Sequence, residues 1–175
     1  MSLKNNLDLA DFKSVVGMGT RPNRYLVDMR IPGENHTLTV EVSALSLPAG
    51  AVGTIYVPFR GRTLKLPGDR RFSPWSFTAY DTEDKIWNKL HSWSNNLNHY
   101  VKNETKYTAD DGNYNVNWTI RHYSLNGEKL LKKVTLYNCW LSSIGPFELA
   151  YGAMDTMSQF SCTVEYEYFN LENGS

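Results

Sequence analysis

Between Gly53 and Val101 the chain changes its repeat. In Trp75–Ala79 apolar residues recur at every second position, whereas Ile86, Leu90, Trp93, Leu97 and Tyr100 follow at intervals of four, three, four and three. A period of two places alternate side chains on opposite faces of a strand, and a mixed four-three spacing lines one face of a helix. The two-residue pattern returns along most of the chain, and the helical pattern is strong only over 82–101. The expected fold class is therefore mainly β with one flanking α-helix, in a single domain over residues 1–175.

The strands can be placed from their punctuation. Tyr25, Val27, Met29 and Ile31 alternate with Arg24, Asp28 and Arg30, and Pro32-Gly33-Glu34-Asn35 reads as a turn. Leu38–Leu47 is the next expected strand. Its apolar parity shifts after Val42 to Leu45 and Leu47, which predicts a bulge or a change of partner near Ala44. Thr54–Phe59 and Arg62–Leu66 flank Gly61 as a hairpin over 53–67, with Pro58 marking an edge or an end of the first arm and Pro67-Gly68-Asp69 reading as a second turn. Val116, Trp118 and Ile120 mark a strand, and Asn126-Gly127 a hairpin turn. Leu130–Ser142 is an unusually long strand, and Ala150–Thr156 is a small-residue loop. In the last strand Phe160, Cys162, Val164, Tyr166 and Tyr168 alternate with Ser161, Thr163, Glu165 and Glu167. The count is about eight strands. Asp81 is the expected helix N-cap, the stripe from Ile86 to Tyr100 the expected core face, and His91 and His99 lie off it. Residues 1–21 read as an N-terminal arm with a short helix at Leu7–Phe12.

Composition narrows the function. Eighteen Lys and Arg balance eighteen Asp and Glu, which disfavours a general nucleic-acid binder and leaves little net repulsion to oppose self-association. No apolar run reaches the ~18 residues of a membrane helix, and Met1–Val16 does not read as a secretion leader. Cys139 and Cys162 are the two cysteines, too few for a disulfide scaffold. In the cytosol that this implies, Asn35, Asn103 and Asn117 in Asn-x-Thr triplets are chance matches.

Catalytic patterns are missing. His36, His91, His99 and His122 have no ligand spacing with cysteine or acid clusters, and Gly17-Met18-Gly19 follows no strand. Asp110-Asp111-Gly112-Asn113 lacks the closing Glu of a calcium loop, and no Gly-x-Ser-x-Gly elbow occurs. The expectation is no catalytic residue, no metal and no cofactor. What remains is a β-rich chain whose open strand edges need either closure within the chain or pairing with copies of itself.

The residues Pro22-Asn23-Arg24-Tyr25, Gly53-Thr54-Ile55, Val57-Pro58-Phe59-Arg60-Gly61-Arg62-Thr63, Gly68-Asp69-Arg70, Pro74-Trp75 and the helix with Trp93 come in an order and spacing that resembles T4-like contractile-phage tail tube proteins. That resemblance covers most of the chain. It implies a β-sandwich-like subunit, six of which form a ring whose inner strands join a continuous barrel. It implies rings stacked inside a tail sheath protein on a baseplate tube initiator, with tape measure protein and DNA in the lumen and no membrane anchor. The location implied is the virion tail, after assembly in the host bacterial cytoplasm. Contacts between subunits and rings then fall to Val57, Phe59, Arg60, Arg62 and Leu64. Thr163, Glu165 and Glu167 become candidates for a lumen or wet face, because neutral or acidic walls repel phosphate. The same fold would serve a baseplate tube initiator, or the tube of a secretion system or phage-tail-like bacteriocin. From another class, a carbohydrate-binding β-sandwich is the alternative that five Trp and eleven Tyr suggest.

Overall fold

The computed structural model describes residues 12–14, 17, 19–32, 37–39, 42–82, 86–107, 114–146 and 148–173. The expected Pro32–Asn35 turn, most of the Leu7–Phe12 helix, the start of the long helix and the 110–113 segment lie outside them. Among them are ten strands and one long helix: β1 Tyr25–Arg30, β2 Thr37–Thr39, β3 Val42–Leu45, β4 Gly50–Phe59, β5 Arg62–Phe72, β6 Trp75–Tyr80, α1 Ile86–Leu97, β7 Val116–Tyr123, β8 Leu130–Ile144, β9 Gln159–Glu165 and β10 Tyr168–Asn173, counted over the described residues.

Eight strands join one antiparallel sheet in the order β2-β1-β7-β8-β9-β6-β3, with β10 also on β8. The order is open, ending on β2 and β3, so no barrel closes within the described residues. The expected Leu38–Leu47 strand is two pieces. Thr37–Thr39 pairs with Met29 and its neighbours, and Val42–Leu45 pairs with Phe77 and its neighbours at the other end of the sheet. The apolar parity shift coincides with a register irregularity between Val42 and Ala44, the bulge expected near Ala44, and the change of partner comes before it.

The fifteen residues of β8 link the two halves of the sheet. One edge of β8 pairs with β7. The other pairs with β10 over Lys132–Tyr137 and with β9 over Trp140–Ile144. Between these stretches Asn138 takes a left-handed backbone (φ 55). Asn accepts that conformation more readily than most residues. Its amide N–H donates to Asn117 Oδ1 at 3.1 Å, and its Nδ2 donates to Glu167 Oε2 at 2.6 Å. The buried parity of β8 runs Val134, Leu136 and then Cys139, Leu141, because the bend shifts the alternation by one residue. The last strand breaks opposite this bend. Tyr168 therefore lies outside the core, stacked on Tyr137 at 4.7 Å, and Phe169 takes the inward position. This corrects the single alternation expected from Phe160 to Tyr168.

One face of the sheet and α1 enclose the core. Val27, Met29, Trp75, Phe77, Trp118, Ile120, Phe160 and Val164 form it with Ile86, Leu90 and Trp93 of the helix. The three tryptophans of the core, Trp75, Trp118 and Trp93, donate their indole N–H groups to the backbone carbonyls of Ser46, Arg30 and Tyr114. Burial without such a partner would cost about 1–3 kcal/mol each. Leu97 packs partly against the core. Tyr100 does not belong to the stripe: it is exposed, and its hydroxyl meets His91 Nδ1 at 3.0 Å. The helix ends at Leu97, so the four-three spacing loses its meaning beyond that residue.

Candidate functional site

Among the described residues, the hairpin of β4 and β5 pairs only with itself. Its first arm has ten residues, enough for a ribbon about 30 Å long. The register runs unbroken through Thr54↔Pro67, Ile55↔Leu66, Val57↔Leu64 and Phe59↔Arg62. Opposed residues share a face, so Ile55, Val57, Phe59, Leu64 and Leu66 line one side. Thr54, Tyr56, Pro58, Thr63, Lys65 and Pro67 line the other. The apolar side is open to solvent: Phe59 is 65% exposed and Leu64 56%. A two-stranded ribbon with both edges and an apolar face unpaired is at best marginally stable alone.

Local sequence explains the shape. Arg60 (φ 44) and Gly61 (φ 80) both lie in the left-handed region, as a two-residue turn matched to strand twist requires. The guanidinium of Arg60 sits 5.5 Å from the centroid of the Phe59 ring. Pro58 does not end the first arm, because nothing pairs on its outer edge. The second turn expected at Pro67-Gly68-Asp69 is absent, and the arms continue past it to Gly50 and Phe72. There the register shifts at Gly53. A Cβ on Gly68 would stand 3.2 Å from the Gly53 carbonyl group, so a side chain there would press the two strands apart by a few tenths of an ångström. At the root, Phe72 packs on Tyr166 and Phe169 at 6.0 and 5.5 Å and anchors the ribbon to the core.

The hairpin is also the most basic part of the chain. Residues 50–72 hold Arg60, Arg62, Lys65, Arg70 and Arg71 against Asp69 alone, four positive charges in a chain of zero net charge. The rest of the chain therefore carries four net negative charges.

The five residues expected to make contacts between copies thus come together. Val57, Phe59 and Leu64 share the apolar face, Arg62 lies opposite Phe59, and Arg60 caps the tip. Sequence reading missed Ile55 and Leu66 on the same face, although the pairing across Gly61 contained that information.

The lumen or wet-face candidates divide. Thr163 and Glu165 lie on the face of β9 opposite the core, with Thr163 Oγ1 3.3 Å from Ser76 Oγ. Asp28, Arg30, Asn117, Thr119 and Arg121 line a shallow polar concavity on β1 and β7, where Arg121 and Asp28 pair at 2.5 Å. Glu167 stands instead at the strand break, bonded to Asn138.

No cluster of three or more His, Cys, Asp or Glu side chains arranged for a metal occurs among the described residues. Both thiols are free and buried, and burial pushes each up to about 12.

No family model matches the chain. The chain is 31% identical over 120 residues to the tail tube protein of Serratia phage KSP90, across 68% of its own length and 66% of that protein, just under two thirds. It is 25% identical over 157 residues to the tail tube protein gp19 of Enterobacteria phage T4, across 85% of its own length and 90% of that protein. Among solved structures it resembles a chain of the extended sheath-tube complex of an extracellular contractile injection system. There the TM-score is 0.66 at 14% identity, over 96% of this chain and 99% of the other.

Proposed function

We propose that the chain is a tail tube protein of the kind found in T4-like contractile-tailed bacteriophages, and that it polymerises as stacked rings into the inner tube of a phage tail. The observation that carries this reading is the free hairpin. A basic, amphipathic ribbon exposes five large apolar side chains and finds no partner among the described residues of its own chain. Monomeric proteins seldom leave such a patch uncovered, and a heterologous contact between identical copies covers it on every copy but the last. The open edges at β2 and β3 offer a second route for copies to join, side by side within a ring.

In this reading Val57, Phe59, Arg60, Arg62 and Leu64 make inter-subunit contacts, six copies close a ring, and the polar face of the sheet turns to the lumen. The tube stands on an initiator, lies within a sheath, and passes DNA after the tape measure protein has left. Thr163 and Glu165 belong to the wall that DNA slides along. Glu165→Lys tests that role more cleanly than the double reversal with Glu167, since Glu167 also holds the Asn138 bend. Tubes that form normally but deliver DNA poorly are expected, and unchanged infectivity would remove Glu165 from the lumen. A secretion or injection tube shares the fold, but the phage relatives share more sequence, 31% and 25% against 14%.

The test of the main reading is negative-stain electron microscopy of the purified protein over a concentration series, alone and seeded with baseplates. Rings or hollow tubes of uniform width are expected. A strict monomer in both arms would overturn it.

A further inference from the structure

The hairpin needs an acceptor, and the loop between β8 and β9 has the complementary surface. Residues 148–157 read Glu-Leu-Ala-Tyr-Gly-Ala-Met-Asp-Thr-Met and contain no Lys or Arg. All are exposed. Leu149 is 83% exposed, Met154 79% and Met157 59%, and Tyr151 is fully open to solvent. Four large apolar side chains on one loop repeat the anomaly of the hairpin, but with acidic rather than basic neighbours.

The topology sets the two features at opposite ends of one strand. The hairpin returns at Phe72, just before Trp75 opens β6, and Trp75 pairs with Val164. The loop closes at Ser158, whose carbonyl accepts from the Asp81 N–H just after Tyr80 ends β6. Six residues of β6, about 20 Å, separate them. In the folded chain both the loop and the hairpin face keep their apolar side chains exposed, whereas in two copies set head to tail the hairpin of one can reach the loop of the next.

The loop is held at its base. The Gly145 N–H donates to the Ser161 carbonyl at 2.6 Å, and a Cβ on Gly145 would stand 2.4 Å from Ser161 Oγ. A side chain at Gly145 would push the loop root off β9. Beyond that base, methionines suit an acceptor, because an unbranched thioether adapts to the shape presented to it.

We propose that the 148–157 loop of one copy receives the apolar face of the 50–72 hairpin of the next copy, with Glu148 and Asp155 opposite the hairpin arginines. This rests on the tube reading and names the contact that would propagate it axially. Opposite charge fixes the direction, since hairpin on hairpin would be repelled and loop on loop likewise.

Cysteine pairing tests it, because the native thiols are buried and slow to react. Phe59→Cys and Met154→Cys are made singly and together, and assembled protein is oxidised with diamide. The mixed single variants should give a cross-linked dimer that neither gives alone, and the double variant a ladder of multimers. A second pair of variants guards against failure to assemble. Glu148→Arg with Asp155→Arg should lose tubes, and combination with Arg60→Glu and Arg62→Glu should restore them. Tubes visible by electron microscopy without cross-links, or with no rescue, would overturn the contact and leave the tube reading standing. No assembly of wild type under any condition would overturn both.

Discussion

The apolar tip of the hairpin can be probed with Phe59→Ala. Phe59 is 65% exposed, and among the described residues its ring meets only the Arg60 guanidinium in aromatic and cation contacts. Full burial of a Phe side chain stabilises by up to about 3 kcal/mol, so covering its exposed two thirds contributes about 2 kcal/mol to each contact between copies. Loss of that term raises the concentration needed for assembly about 30-fold. The folded monomer should hardly change, because a surface substitution of this kind stays within about 0.5 kcal/mol. The assay is paired: pelleting or light scattering over a concentration series gives the critical concentration, and thermal unfolding of the monomer gives its stability. An unchanged critical concentration would refute the argument. A clearly lowered monomer Tm would refute it differently, by showing that Phe59 already belongs to the subunit's own core.

Trp93→Ala removes a side chain only 1% exposed that packs on Trp118, and should destabilise the monomer by about 3–5 kcal/mol in denaturant unfolding. Gly68→Ala sets a methyl 3.2 Å from the Gly53 carbonyl and should weaken tube formation while the core unfolds at nearly the same temperature, read by microscopy beside calorimetry. Cys139 and Cys162 should resist a thiol reagent near pH 8 until the protein is denatured, since burial lifts both to about 12 from 9.0. The folded chain retains those protons longer than the unfolded one. The associated stability is therefore fully present below pH 9.0 and is lost as pH rises through about 12, which alkaline unfolding curves would record.

Much of this fold was legible in the residues alone. Strict alternation identified β1, β6, β7 and β9, because a half-buried strand has to place apolar and polar groups on opposite faces. The four-three stripe identified α1, and Asn126-Gly127 and Arg60-Gly61 marked tight turns. The hairpin about Gly61 was legible in its two arms, whereas the contact role of Val57, Phe59 and Leu64 came from the family resemblance; the pairing shows that the three share one side.

Other features depended on the tertiary structure. The length of the hairpin was hidden because Pro67-Gly68-Asp69 has turn chemistry, and only the close passage of Gly53 and Gly68 shows that these glycines serve a crossing within a ribbon. Tyr100 fits the helical spacing, but the chain leaves the helix at Leu97 and carries it outside. The alternation of the last strand holds through Glu167 and breaks at Tyr168, where the sheet bends at Asn138. Local sequence thus determined periods, turns and faces, which depend on neighbours a few positions away. The end of the helix, the corner in β8, and the placement of the basic ribbon and the acidic loop at opposite ends of β6 depend on contacts between residues far apart in sequence. A periodic pattern has no information about those contacts, and only the folded chain decides them.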